Sequence, residues 1–164
     1  MGQILIIWGI AWFYGFLCTQ LFLHLVFPIW ISVGLIGGTG TAIVVIKKHI
    51  HQKERSKPIF TWHFGIYWLV LTCYCIIIWL IISPDSFDKI GVYITLFVMM
   101  GYVLIGIWGS RILLFVGLGI SAGTLLGWFL IPEYFGLWMA FMGGGGLLIP
   151  GICILVKVKQ KLNK

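Results

Sequence analysis

Apolar residues run along this chain in long continuous blocks, without the two-residue alternation of half-buried or barrel strands. Five stretches hold no Asp, Glu, Lys or Arg: 1–46, 58–84, 90–110, 112–132 and 134–156. A helix needs about 20 apolar residues to cross a hydrocarbon core of about 30 Å. Each of the last four stretches therefore predicts one span, and the first predicts two. Pro28 sits near the middle of that first stretch. The residue before a proline is disfavoured in the α conformation, which places a tight turn at Phe27-Pro28. The pattern predicts six helices, at about 3–26, 28–47, 60–82, 90–108, 112–131 and 134–156. In lipid only helices and closed barrels satisfy every backbone polar group. The expected architecture is one all-α integral membrane domain over 1–164, built as three hairpins, with no soluble domain.

Composition agrees with that pattern. Hydrophobic residues make up 61% of the 164 positions and charged residues 9%, and mean hydropathy is +1.10. A soluble domain carries about 25% charged residues, so this chain lacks the polar surface to cover a core in water. The N-terminus has no positive residue before its apolar run and no small-x-small cleavage site. The first helix is therefore expected to be retained rather than removed as a signal peptide.

Charge sets the expected orientation. Lys47, Lys48, Lys53, Arg55 and Lys57, then Arg111, then Lys157, Lys159, Lys161 and Lys164 fall on one side of a six-span bundle. With Glu54 that side carries ten positive groups and one negative, +9. Asp85, Asp88, Lys89 and Glu133 fall on the other, at −2. The positive-inside rule places both termini in the cytoplasm. The basic loop reads as a topology signal and an attraction to anionic lipid headgroups, not as a nucleic-acid interface.

Polar groups within a membrane are expensive, so each is a functional candidate. Gln20 and His24 are four apart, on one face of the first predicted helix near its outer end. Asp85, Asp88 and Glu133 fall at the same level, and the five together form a candidate outward-facing site for a cation or proton. The competing reading is a structurally satisfied histidine beside solvated acids. On the cytoplasmic side, His49, His51 and His63 sit among lysines and lack the convergence a metal needs. Cys18, Cys73, Cys75 and Cys153 form no CxxC. No Walker loop, HExxH or GxSxG occurs. The sequence therefore predicts no catalytic residue, metal or cofactor.

Small residues mark the expected packing. Gly119, Gly123 and Gly127 form a GxxxGxxxG stripe in the fifth span, and Gly34 and Gly38 a GxxxG in the second. Such spacing lets helices approach closely, within the bundle or in a dimer. Gly143, Gly144, Gly145 and Gly146 stand in a row with Pro150 close behind. They predict a bend or break around 143–150. Trp8, Trp62 and Trp108 lie near the predicted inner ends, and Trp30, Trp79, Trp128 and Trp138 towards the outer ends, as an aromatic belt would. Two short matches suggest an internal repeat. Gly9-Ile10-Ala11-Trp12 pairs with Gly65-Ile66-Tyr67-Trp68, and Phe27-Pro28-Ile29-Trp30 with Phe135-Gly136-Leu137-Trp138.

Trp128, Pro132-Glu133-Tyr134, Gly146-Leu147-Leu148-Ile149-Pro150-Gly151 and Leu155 before a Lys-rich tail resemble a family of small bacterial membrane proteins, often from Bacteroidetes. Pro28-x-Trp30 with Gly34 and Gly37-Gly38 is similar to that family's second span. The resemblance implies a bacterial inner-membrane location and carries no activity or catalytic residue. Three functions follow as expectations. The first is a non-enzymatic carrier, or a binding or sensing subunit of a larger system. The second is a structural, interaction or immunity-type protein. The third is a membrane enzyme on a lipid-soluble substrate. The expected partners are membrane lipids and a second copy or another membrane protein.

Overall fold

A computed structural model describes residues 1–51, 59–82 and 87–162. Among these residues the chain is helical and holds no strand. The helices are α1 (Gly2–Leu21), α2 (Val26–His51), α3 (Ile59–Ile82), α4 (Phe87–Gly109), α5 (Arg111–Leu130), α6 (Phe135–Met139) and α7 (Gly146–Leu162). A π-helical stretch, Ala140–Gly145, joins α6 to α7, so the three form one long sixth element. Five or six of these elements are apolar and long enough to span a membrane, the sixth being α3 at its full 24 residues. Many large apolar side chains face outward: Ile81 is 77% exposed, Phe129 75% and Trp108 88%. Such a surface is a liability in water and the ordinary boundary of a membrane-embedded protein.

The α1–α2 turn differs from its expected place. Helix α1 ends at Leu21, where Phe22 takes a non-helical conformation (φ −133°, ψ 63°). A 3₁₀ turn, Leu23–Leu25, then leads into α2. Pro28 sits inside the first turn of α2, where its missing N–H has no intrahelical partner to lose. The α5–α6 connection repeats this geometry. Ile131 (φ −140°, ψ 56°) precedes a 3₁₀ turn, Pro132–Tyr134. Leu25 N–H donates to the Phe22 carbonyl, and Tyr134 N–H to the Ile131 carbonyl. In both hairpins the tryptophan just beyond reaches back to the preceding helix. Trp30 Nε1 donates to Thr19 Oγ1 (3.2 Å), and Trp138 Nε1 to the Gly123 carbonyl (2.7 Å).

Going round the bundle, the neighbours are α2, α1, the sixth element, α5, α4 and α3. The tightest pairs cross the expected hairpins: α4 packs along α5, and α1 along the sixth element. Glycines make both contacts close. A Cβ on Gly144 would lie 2.9 Å from the Phe13 backbone, and one on Gly9 2.9 Å from the Gly144 carbonyl. One on Gly117 would lie 2.8 Å from the Met99 carbonyl, and one on Gly106 would strike the Leu114 backbone. The core between these helices holds Trp12, Phe16, Met99, Ile120, Phe135, Met139 and Leu147, all buried. Helix α3 stands at the rim. It is fastened to α4 by Tyr67 Oη donating to the Gly101 carbonyl and Tyr93 Oη donating to the Cys75 carbonyl.

The glycine stripes divide. Gly123 and Gly127 receive Met142 and Trp138 of the sixth element, whereas Gly119 faces open space. Gly34 and Gly38 also face open space, and it is Gly37 and Gly40 that take Trp8 and Ile7 from α1. The expected break around 143–150 takes the form of the π stretch, which begins earlier, at Ala140. Pro150 lies within continuous helix α7. In the glycine run, Gly144 abuts α1 and Gly146 abuts Ile120 of α5, while Gly145 meets open space. The run lets one element wedge between two helices. The Gly9–Trp12 and Gly65–Trp68 segments occupy unlike environments. Gly9 and Trp12 are buried at the hub, while a Cβ on Gly65 would meet nothing within 4 Å.

Candidate functional site: a cavity between α1, α2, α4 and α6

The expected polar cluster does not assemble among the described residues. Because α1 stops at Leu21, the four-residue spacing of Gln20 and His24 no longer places them on one helical face. His24 is exposed in the 3₁₀ turn, and its ring meets Phe22 edge-on at 6.4 Å between centroids. Gln20 Nε2 donates to the backbone carbonyl of Glu133 (3.1 Å), and its Oε1 accepts the Gly136 N–H (2.9 Å). Gln20 is thus a clamp from the end of α1 to the turn that opens α6, and the Glu133 carboxylate takes no part in it. Asp85 lies outside the described residues, and so do the side chains of Asp88, His49, His51, His63, Trp62 and Trp79. No group of three His, Cys, Asp or Glu able to hold a metal occurs among the described residues.

Next to this clamp, helices α1, α2, α4 and α6 line a cavity of about 210 Å³. Helix α1 contributes Trp12, Phe16 and Thr19, spaced so that they share one face. Helix α2 supplies Val26, Phe27 and Trp30, and helix α4 supplies Ile90, Gly91, Ile94 and Thr95. Phe135 and Gly136 of α6 complete the wall. Gly91, with no side chain, leaves open the space beside Phe135 and Phe16. A Cβ there would lie 3.6 Å from Phe135 and 3.7 Å from Phe16. Phe16 and Trp30 stack edge to face at 5.0 Å, which stiffens the wall.

The lining side chains are apolar apart from two hydroxyls and the indole N–H groups of Trp12 and Trp30. Thr19 Oγ1 donates to the Gly15 carbonyl and accepts from Trp30, so both these side chains are satisfied. Thr95 is different. It is fully buried, and its Oγ1 has no hydrogen-bond partner. Thr19, Thr39, Thr72 and Thr124 each turn the hydroxyl onto the carbonyl four residues back. Thr95 does not turn to Gly91 in this way. An unpaired buried hydroxyl costs about 1–3 kcal/mol, so Thr95 stands out in a bundle where Thr124, equally buried, is paired.

Four of the belt tryptophans pack against the core, Trp128 meeting Phe135 edge-on. Trp8 donates to Thr41, Trp30 to Thr19 and Trp138 to Gly123, while Trp108 lies outside. Sequence reasoning weighed charged groups, His and Gln and passed over Thr95. The signal was present as a hydroxyl deep in an apolar span with a glycine four residues before it. Comparison with protein-family models, curated proteins and solved structures finds no match to this chain.

Proposed function

We propose that this chain is a non-enzymatic, membrane-embedded binding module: a small carrier, or the binding or sensing subunit of a larger system. The observation that carries this reading is the cavity between α1, α2, α4 and α6, of a size and apolar character suited to a small lipid-soluble molecule. A cavity of about 150 Å³ lined by apolar side chains suffices to hold benzene. The +9 and −2 charge partition supports both termini lying in the cytoplasm, and the resemblance over 128–157 supports a bacterial inner membrane. The test of function compares organic extracts of the purified wild type and Gly91→Val, which builds a branched side chain into the cavity. A small molecule enriched with the wild type and lost with the variant is expected. Identical extracts, both without such a molecule, overturn the reading. Orientation is checked with an impermeant maleimide on intact cells, in a cysteine-free background. Glu133→Cys should label and Lys159→Cys should not.

A second reading, an interaction protein, draws on Gly34 and Gly38, which sit one turn apart and face open space. Gly34→Leu with Gly38→Leu would then break an assembly seen by native mass spectrometry and leave the monomer folded.

A further inference from the structure

The cavity is chemically lopsided. Its walls are aromatic and aliphatic, its Thr19 and Trp30 groups are paired with each other, and Thr95 is a fully buried lining residue whose hydroxyl has no partner. Water is a poor occupant of walls this apolar, because a buried water takes two to four polar partners. An ion is a poorer one, since the lining holds no charged side chain. The fitting occupant is an uncharged apolar molecule with a single oxygen. A carbonyl suits best. It accepts the Thr95 proton and brings no donor of its own, and orphaned buried donors are tolerated less well than under-satisfied carbonyls.

The way in is lateral. Phe27 of α2 is 68% exposed and Ile94 of α4 is 38% exposed, and both line the cavity. Helices α2 and α4 form opposite walls and do not pack along each other. The mouth therefore opens between two helices whose outer faces are apolar. Thr95 stands eight residues into α4, about 12 Å along the helix axis from its start. That depth is beyond an interfacial headgroup and within reach of a molecule dissolved in the hydrocarbon.

We infer that this cavity recognises a small uncharged carbonyl compound of about one substituted ring, admitted sideways from the lipid phase between α2 and α4 and held by a hydrogen bond from Thr95. This rests on the binding-module reading and names the ligand class for the same site.

The test uses the full chain in nanodiscs, with empty nanodiscs as the partition control. Two near-isosteric probes are followed by fluorine NMR: 4-fluoroacetophenone, which has the carbonyl, and 4-fluoro-α-methylstyrene, in which a methylene replaces it. The ketone should show saturable, protein-dependent binding, about fivefold weaker in Thr95→Val, the loss of one hydrogen bond. The hydrocarbon should bind wild type and Thr95→Val alike. Thr95→Ser, which keeps the hydroxyl, should keep the preference for the ketone, and Gly91→Val should abolish both signals. Equal binding of both probes, unchanged by Thr95→Val, would overturn carbonyl recognition and leave the binding module standing. No binding of either probe above empty discs would overturn both. Running the ketone in discs of diester or diether phospholipid names the natural source. Competition by the diester alone assigns the lipid's own ester carbonyl and overturns the small-compound reading, whereas competition by neither upholds it.

Discussion

Gln20 and Thr95 lie at the same end of the bundle and have opposite fates. The Gln20 amide spends both its donor and its acceptor on the backbone of the α5–α6 connection. Gln20→Ala leaves the Gly136 N–H without this acceptor and should lower stability by about 1–2 kcal/mol, read as a lower unfolding midpoint in detergent. His24→Ala should change it by under about 0.5 kcal/mol, because His24 is exposed and makes only an edge contact with Phe22. Thr95→Val should raise the midpoint of the empty protein, since it removes an unpaired buried hydroxyl at constant shape. At this scale the sequence was partly legible. The polar character of Gln20 marked it out, but its partners were backbone groups of a turn that only the tertiary fold brings near. Thr95 escaped notice because a lone hydroxyl in a span is normally paired on its own helix, and nothing local says that this one is not.

Among the elements, glycine acts by what lies opposite it. Gly144→Ala sets a methyl against the Phe13 backbone and should force α1 and the sixth element apart, at a cost of about 1–3 kcal/mol. Gly145→Ala, next door but facing open space, should be neutral or stabilising by up to about 1 kcal/mol, the helix-propensity gain. The same contrast holds between Gly37→Ala, which meets the Trp8 ring, and Gly38→Ala, which meets nothing. Thermal unfolding of the four variants, with circular dichroism to confirm retained helix, checks the pattern. Helix number and approximate extent were legible because charge-free length is a one-dimensional quantity. The α1–α2 turn was misplaced because proline marks a helix start as readily as a helix end. The pairing of stripes was illegible for a similar reason: GxxxG spacing says that a face is smooth and leaves open which neighbour uses it.

Over the whole molecule, attachment is uneven. Helix α1 touches α2 and every part of the sixth element, whereas α3 is held to α4 by a narrow contact with two tyrosine hydroxyls in it. Replacing both Tyr67 and Tyr93 by Phe should let α3 swing. Pulsed EPR distances between labels at Ile81 and Met100, in a cysteine-free background, should broaden while the unfolding midpoint of the rest is kept. Where α3 sits was not legible, since its composition is as apolar as that of the hub helix. The closure of α1 onto α7, where Gly2 and Gly151 meet across nearly the whole described chain, bears on how the protein is made. Helix α1 leaves the ribosome before α7 and must wait in the membrane, its glycine-lined face uncovered, until α7 has been synthesised. During that interval the nascent chain offers membrane proteases and insertion chaperones a smooth, unmated helix. A ribosome stalled before α6 would therefore leave a product marked for destruction by the very surface that later becomes the centre of the fold.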